Sequence, residues 1–164
     1  MKDVFGQALW DFFQGDLEQE YITERHDGVR ESRRLAKYFE TYEKFPDYQK
    51  KALEHAKGKV LDLGCGAGKH SLYLQDIGLD VTGIDISEKC IEICKARGLN
   101  KAEAMSFREL SFDPESFDTL ILFGNNISFC SSVGEAQKLL QYLNGFVRSE
   151  GVLLLDGSDF SKST

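Results

Sequence analysis

The chain has 164 residues and a net charge of −7, a size that suits one domain with a buried core. No apolar run is long enough to span a membrane and the first residues form no signal peptide, so we expect a cytoplasmic protein without a membrane partner. Residues 60–164 carry fifteen acids against nine Lys and Arg, which argues against nucleic acid as a partner.

The cysteines and histidines are spaced too irregularly to predict a metal site. No two of the four cysteines have the C-x-x-C spacing of zinc ligands, and no closely spaced pair of histidines accompanies them. We therefore expect no bound metal. In a cytoplasmic protein the thiols are expected to be reduced.

The N-terminal third is predicted to form a helical cap over residues 1–57. Apolar residues at helical spacing predict a first helix over 4–13, with a face broad enough to cover another part of the chain. The polar segment 21–28 is predicted to be irregular. A second helix is predicted over 35–42, and a third begins at Pro46, a residue typical of the first helical turn.

A short apolar run over residues 59–63 is followed by a glycine-rich turn and then by apolar residues at helical spacing. This order predicts a buried strand, a tight turn and a helix start, the first βα unit of a nucleotide-binding α/β sheet. Glycine lets the chain turn sharply and lets a ligand approach the backbone. We place an α/β domain over residues 58–164, beginning with this unit.

Three glycine motifs compete for this turn, and their spacing separates them. A dinucleotide fingerprint starting at Gly64 requires glycine at the position of Lys69, and a phosphate-binding loop ending at Lys69 requires a hydroxyl at the position of His70. The sequence instead has acidic-x-G-x-G-x-G over residues 62–68. An ordinary strand-to-helix turn is the alternative interpretation.

A second strand is predicted over residues 79–85, and it ends in an acidic residue. Asp85 follows the glycine turn by one helix and one strand, a position where a carboxylate accepts hydrogen bonds from ribose hydroxyls. Capping of the next helix is the alternative role, but Ser87 suits that position better. The helix itself is predicted over 87–97.

Three more strands and one helix are predicted after residue 100. The elements are a weak strand over 101–105, a clear strand over 116–123, a helix over 132–147 and a last strand over 151–156. Asn125 follows the clear strand, at an edge where α/β sheets bind ligands, and substrate binding and turn formation are weighed evenly for it. A turn is favoured for Asn126.

The motif over residues 62–68, the acid Asp85 and the "F-D" strand that starts at 116 resemble the class I S-adenosylmethionine-dependent methyltransferases. The resemblance implies a Rossmann-like, doubly wound, mainly parallel sheet, S-adenosyl-L-methionine as cofactor, and methyl transfer to a small-molecule acceptor. The residues that it places around the cofactor are Asp62, Gly64, Cys65, Gly66, Gly68, Asp85, Ile86, Ser106, Phe107 and Phe123. Candidate catalytic residues are Asn125 and Tyr21.

One position departs from the resembled family. Many of its members have an acid that accepts a hydrogen bond from the adenine amino group, and this chain has Ser106 there. A hydroxyl is a weaker acceptor than a carboxylate. We therefore expect adenine recognition to depend more on the Phe107 backbone N–H and on apolar contact with Ile86.

The sheet of the resembled family has seven strands, and this sequence predicts five. The last predicted strand would present an apolar edge, which natural folds usually cover. Either the chain is a fragment or another chain covers the edge, so self-association through the fifth strand is an expectation. Two functions follow: a methyltransferase, or a truncated, non-catalytic cofactor-binding or interaction module acting through a partner chain. The glycine spacing disfavours a nicotinamide-dependent oxidoreductase.

Overall fold

The N-terminal part of the chain combines helices with a small β-hairpin. The structure is a computed structural model that describes residues 3–18, 20–24 and 28–157. The elements before the main sheet are helix α1 (Val4–Phe13), strands β1 (Glu20–Glu24) and β2 (Arg30–Arg34), and helix α2 (Asp47–Leu53). The prediction of α1 is confirmed, and α2 starts directly after Pro46 as predicted.

Two predictions in this part of the chain were wrong. The segment predicted to be irregular contains β1, which pairs with β2 in antiparallel register. Glutamates stand at both ends of β1, and opposite charges face each other across the strands, as in the pair of Arg30 and Glu24 at 2.8 Å. A strand of this kind shows no apolar alternation in the sequence. The predicted second helix is replaced by two single 3₁₀ turns, Leu35–Tyr38 and Tyr42–Lys44.

The main sheet is parallel and has five strands in the order β5-β4-β3-β6-β7. Its strands are β3 (Lys59–Leu63), β4 (Asp80–Asp85), β5 (Lys101–Ala104), β6 (Phe117–Leu122) and β7 (Val147–Leu155). The first strand in sequence lies at the centre, and the chain proceeds outward on either side of it. This is the doubly wound order that the sequence predicted.

Helices cover both faces of this sheet. They are α3 (Lys69–Asp76), α4 (Glu88–Ala96) and α5 (Val133–Asn144). Leu61 and Leu63 contribute to the core on the side of α5, while Val60 contributes to the core shared with α2 and α3. Because side chains alternate along a strand, β3 is apolar on both faces, as a central parallel strand must be. Ser87 caps α4 as predicted, accepting a hydrogen bond from the Cys90 backbone N–H at 3.0 Å.

Strand β7 is longer than predicted and lies at the edge of the sheet. It begins at Val147, and an irregularity in its pairing with β6 coincides with Glu150 in the left-handed region (φ 65°). The sequence pattern placed the start of the strand after this irregularity. Within the described ranges, no strand pairs with the outer edge of β7. No described helix is both long and apolar enough to cross a membrane.

Candidate functional site

The glycine turn connects β3 to α3 at the carboxyl edge of the sheet. Gly64, Gly66 and Gly68 have φ values of 76°, 56° and 80°, a region that residues with a Cβ rarely adopt. The backbone N–H groups of Gly64 and Cys65 donate to the carbonyl oxygen of Ile84 at 2.8 and 2.9 Å. These bonds fix the turn to the neighbouring strand β4.

Asp85 is the point at which the turn meets the end of β4. One carboxylate oxygen accepts from the Gly66 N–H at 2.9 Å, and the other accepts from the Ser87 N–H at 2.9 Å. Burial raises the pKa of Asp85, and the backbone N–H bonds offset part of that rise. A carboxylate has several acceptor lone pairs, so Asp85 can accept further bonds from ligand hydroxyls.

A narrow space separates the glycine turn from the N-terminal cap. A Cβ added at Gly66 would enter this space, where the nearest atom is Tyr38 Cδ1 at 3.9 Å. Tyr38 belongs to a ring cluster with Phe5 and Tyr21, in which the two tyrosine hydroxyls lie 2.7 Å apart. The cap therefore faces the glycine turn with aromatic side chains, and Tyr21, the predicted candidate, is among them.

The opposite end of the site is apolar and open. Ile86, next to Asp85, has 81% of its surface exposed. The Met105 N–H donates to the Asp85 carbonyl oxygen at 2.9 Å, which brings Ser106 and Phe107 to the same edge. The Ser106 hydroxyl accepts from the Arg108 N–H at 3.2 Å. A flat base with a polar rim could lie against Ile86.

The turn after β6 completes the site on the other side of the glycine turn. The Asn126 side-chain amide donates to the carbonyl oxygens of Leu63 and Gly64 at 3.2 and 3.4 Å. Asn126 was favoured as a simple turn residue, and the structure gives it the further role of supporting the glycine turn. Its position after the strand beside β3 was the signal for this role. The Asn125 N–H donates to Asp156 at 2.7 Å.

Three residues predicted around the cofactor have side chains in the core behind the glycine turn. Asp62 is only 2% exposed, accepts from the Ser71 hydroxyl at 2.6 Å, and has its pKa raised to about 6 by burial. Cys65 packs against Cys94 with their sulfurs 3.7 Å apart. Phe123 packs edge-on against His70, with ring centres 5.1 Å apart. The side chains of these three residues support the glycine turn from the core side. Gly66, Asp85 and Ile86 lie on its other side, where a ligand could bind.

These residues fit a nucleoside ligand better than a metal. The carboxylate, the turn without side chains and the exposed aliphatic group are three adjacent surfaces for a ribose, an extended polar chain and a base. Within the described residues, no three His, Cys, Asp or Glu side chains come together as metal ligands.

The comparison with known families agrees with this geometry. A family model described as a methyltransferase domain matches residues 60–151, more than half of the chain. The chain belongs to this methyltransferase-domain family. A crystal structure of an S-adenosylmethionine-dependent methyltransferase from Bacteroides fragilis, in complex with S-adenosyl-L-homocysteine, superposes with a TM-score of 0.84 and 26% identity. The superposition covers 97% of this chain and 66% of that one.

Curated relatives of this methyltransferase-domain chain differ in their acceptors. The cypemycin N-terminal methyltransferase of a Streptomyces species is 31% identical over 103 residues, which are 61% of this chain and 42% of that protein. The ubiquinone biosynthesis O-methyltransferase of Paraburkholderia phymatum is 32% identical over 102 residues, 57% of this chain and 44% of that protein. The chain spans less than half the length of the curated relatives that it matches.

Proposed function

We propose that the chain binds S-adenosyl-L-methionine and takes part in methyl transfer to a small-molecule acceptor. The observation that carries the proposal is the hydrogen bond between the Gly66 N–H and Asp85, which joins the glycine turn to the acid at one edge of the sheet. The glycine spacing and the solved complex from Bacteroides fragilis support the choice of this cofactor.

Each part of the cofactor has a residue to receive it. Asp85 would accept hydrogen bonds from the ribose hydroxyls, because its carboxylate is fixed by two backbone N–H groups and retains acceptor capacity. The exposed side chain of Ile86 would contact the adenine, and the Phe107 backbone N–H would recognise its edge. Gly66 would let the amino-acid part pass between the turn and Tyr38.

The protein's contribution to the reaction is alignment in a space that excludes water. The bound cofactor supplies a methyl group already activated by the positive sulfonium. Tyr38 lies next to the glycine turn, with Phe5 and Tyr21 packed against it, and this ring cluster would keep water from the turn. Asn125 and Tyr21 are the candidates for orienting the acceptor. An amide such as that of Asn125 cannot remove a proton, so we assign no general base.

The acceptor is proposed to bind between the N-terminal cap, residues 1–57, and the turn after β6. The acidic balance of residues 60–164 supports a small molecule over a nucleic acid, because a phosphate backbone would be repelled.

A second candidate function is that of a non-catalytic module acting through a partner chain. The outer edge of β7 favours it, because no described strand covers that edge and Leu155 is 43% exposed. We propose a second copy of the chain as the partner, pairing edge to edge. Methyl transfer by the associated form would favour the enzyme, whereas cofactor binding without transfer to any acceptor would favour the module.

The test of the proposed function is calorimetric titration of the whole chain with S-adenosyl-L-homocysteine and, separately, with NAD. We expect saturable binding of S-adenosyl-L-homocysteine and none of NAD. Binding of NAD in preference to S-adenosyl-L-homocysteine would overturn the proposal and favour a nicotinamide-dependent oxidoreductase.

A further inference from the structure

A polar chain of four residues crosses the protein interior beside the site: His70, Gln49, Asp156 and Asn125. We propose that Asp156 is a positioning residue that, through this chain, holds the turn after β6 in the conformation needed on the acceptor side. The importance of Asp156 for methyl transfer rests on the proposed function, whereas the hydrogen bonds that it accepts do not depend on that function. Nothing in the motif over residues 62–68 points to Asp156.

The hydrogen bonds of this chain converge on Asp156. Asp156 accepts from two sides, from the Asn125 backbone N–H at 2.7 Å and from the Gln49 Nε2 at 2.7 Å. Because Gln49 uses its nitrogen to donate to the carboxylate, its oxygen faces His70 Nε2 at 3.1 Å. His70 must therefore carry its proton on Nε2 and donate it to Gln49. Each of these three hydrogen bonds therefore joins a donor to an acceptor.

The His70–Gln49 end of the network lies in the apolar core between α2, α3 and the sheet, whereas Asp156 and Asn125 at the other end are half-buried. His70 and Gln49 are only 8% and 5% exposed. The rings of Phe45 and Phe123 pack edge-on against the imidazole, with centres 4.9 and 5.1 Å away. Burial lowers the pKa of His70 to about 3, so the ring is neutral. A buried polar network with all partners satisfied fixes one arrangement, since losing any member leaves a partner unpaired.

The turn that this network holds has an unusual backbone. Asn125 has φ 61° and Gly124 has φ 79°, so two consecutive residues lie in the left-handed region. Glycine adopts this region without cost, and asparagine does so more readily than most residues with a Cβ, so the hydrogen bonds around the turn determine which conformation it keeps. Asp156 accepts from the Asn125 N–H, and Asn126, the next residue, donates to the carbonyl oxygens of Leu63 and Gly64. The turn is therefore fixed between Asp156 and the glycine turn.

The network also connects parts of the sequence that are far apart. Gln49 belongs to the cap, 107 positions before Asp156 at the end of β7. His70 lies in the first turn of α3, directly after the glycine turn. Asp156 thus connects the cap and α3 to the turn that carries Asn125, one of the two candidates for orienting the acceptor.

The test reverses the direction of the hydrogen bond between Gln49 and Asp156 and measures the protection of the Asn125 backbone N–H in the turn. Amide hydrogen exchange at Asn125 is followed by NMR in the whole chain. Asp156→Ala should speed that exchange about tenfold or more, because the charge-assisted acceptor is lost. Asp156→Asn has one acceptor oxygen for two donors, and Gln49→Glu places two carboxylates together, so each alone should also speed exchange.

The double variant Gln49→Glu with Asp156→Asn restores a partner for every group. The new carboxylate at position 49 would accept from both His70 and the new amide, whose oxygen would accept from Asn125. We expect Asn125 exchange to return to within about threefold of the wild type, because each group again has a partner. Gln141→Glu, an exposed change on α5, is the matched control and should change nothing. A double variant that exchanges as fast as the faster single variant would overturn the proposal.

Titration with S-adenosyl-L-homocysteine separates this proposal from the proposed function. Asp156→Ala should bind it within about threefold of the wild type, because Asp85 and Gly66 are untouched. A loss larger than about tenfold would place Asp156 on the cofactor side and overturn its assignment to the acceptor side. If the wild type itself does not bind S-adenosyl-L-homocysteine, the proposed function is wrong. The Asn125 exchange rates would still test whether Asp156 holds the turn.

Discussion

The glycine turn and the N-terminal cap form opposite walls of the same space, and they are held in different ways. The turn is fixed by hydrogen bonds from its backbone N–H groups to the Ile84 carbonyl oxygen and to the Asp85 carboxylate. The cap is held by side-chain packing between distant segments, as in the stacked rings of Phe12 and Phe39 with centres 5.1 Å apart. Geometry set by the backbone is specified within a few residues of sequence, whereas geometry set by packing depends on the whole fold.

The largest effect is expected from adding a single methyl group at Gly66, in the glycine turn. Gly66→Ala should weaken S-adenosyl-L-homocysteine binding by about 3 kcal/mol or more, roughly 100-fold, because the Cβ fills the ligand space and φ is positive. Calorimetric titration measures the loss. Gly78→Ala is the matched control, since Gly78 has φ 95° and nothing within 4 Å of its added Cβ. Equal losses in the two variants would mean that backbone strain, and not the ligand space, is responsible.

A substitution in the cap, the wall that is held by packing, should lower the folding stability more than the cofactor affinity. Leu9 is fully buried between α1 and α4, so Leu9→Ala should cost about 2–4 kcal/mol of folding free energy. Urea denaturation measures this cost, and Val4→Ala, an exposed change on the same helix, is the control. We expect cofactor affinity to fall less than in Gly66→Ala. A Leu9→Ala variant that folds normally but binds no cofactor would show that the cap, too, provides direct cofactor contacts.

Asp62 tests whether the residues behind the turn support it structurally. Its pKa is raised from 3.8 to about 6, so the protonated form favours the folded state, and this contribution is lost as the pH rises through about 6. The stability of the wild type relative to Asp62→Asn should therefore fall by about 2–3 kcal/mol between pH 4 and pH 7. Denaturation at several pH values measures this difference. A flat difference for Asp62→Asn over this range would contradict the prediction.

The smallest effect is expected at the outer edge of β7, which forms neither wall. Leu154 packs against the core and Leu155 is exposed, so Leu155→Lys is the change that alters the edge without disturbing the core. Light scattering over a concentration series should show association of the wild type, weakened in the variant by roughly 1 kcal/mol, about fivefold. A wild type that stays monomeric at high concentration, with slow amide exchange over 152–155, would contradict the proposed pairing.

The difference between the two walls also explains what the sequence could predict. The strand order and the approach of Gly66 to Asp85 follow from a local motif and from the rules of parallel sheets. The hairpin of β1 and β2 could not be predicted, because β1 shows no apolar alternation and β2 consists only of polar residues. Gln49 was equally unrecognisable, since its partner Asp156 is 107 residues away.

The side chains behind the turn show the limit of a motif. The sequence pattern grouped Asp62, Cys65 and Phe123 with the residues around the cofactor, because a motif gives positions along the chain and not directions of side chains. The alternation of β3 turns Asp62 toward Ser71, and the turn directs Cys65 toward Cys94. Only the folded packing separates the residues that face the ligand space from those that support it.

The most direct test of the account is the affinity of Asp85→Ala for S-adenosyl-L-homocysteine, measured by calorimetry beside the wild type. A carboxylate that accepts two ribose hydroxyls makes charge-assisted bonds, so the variant should lose about 2–3 kcal/mol, roughly 30- to 150-fold in affinity. Asp85→Asn should lose less. Amide exchange of the glycine turn serves as the folding control, since Asp85 also accepts from Gly66. An Asp85→Ala variant with an intact turn and unchanged affinity would contradict the assignment of this edge as the cofactor site.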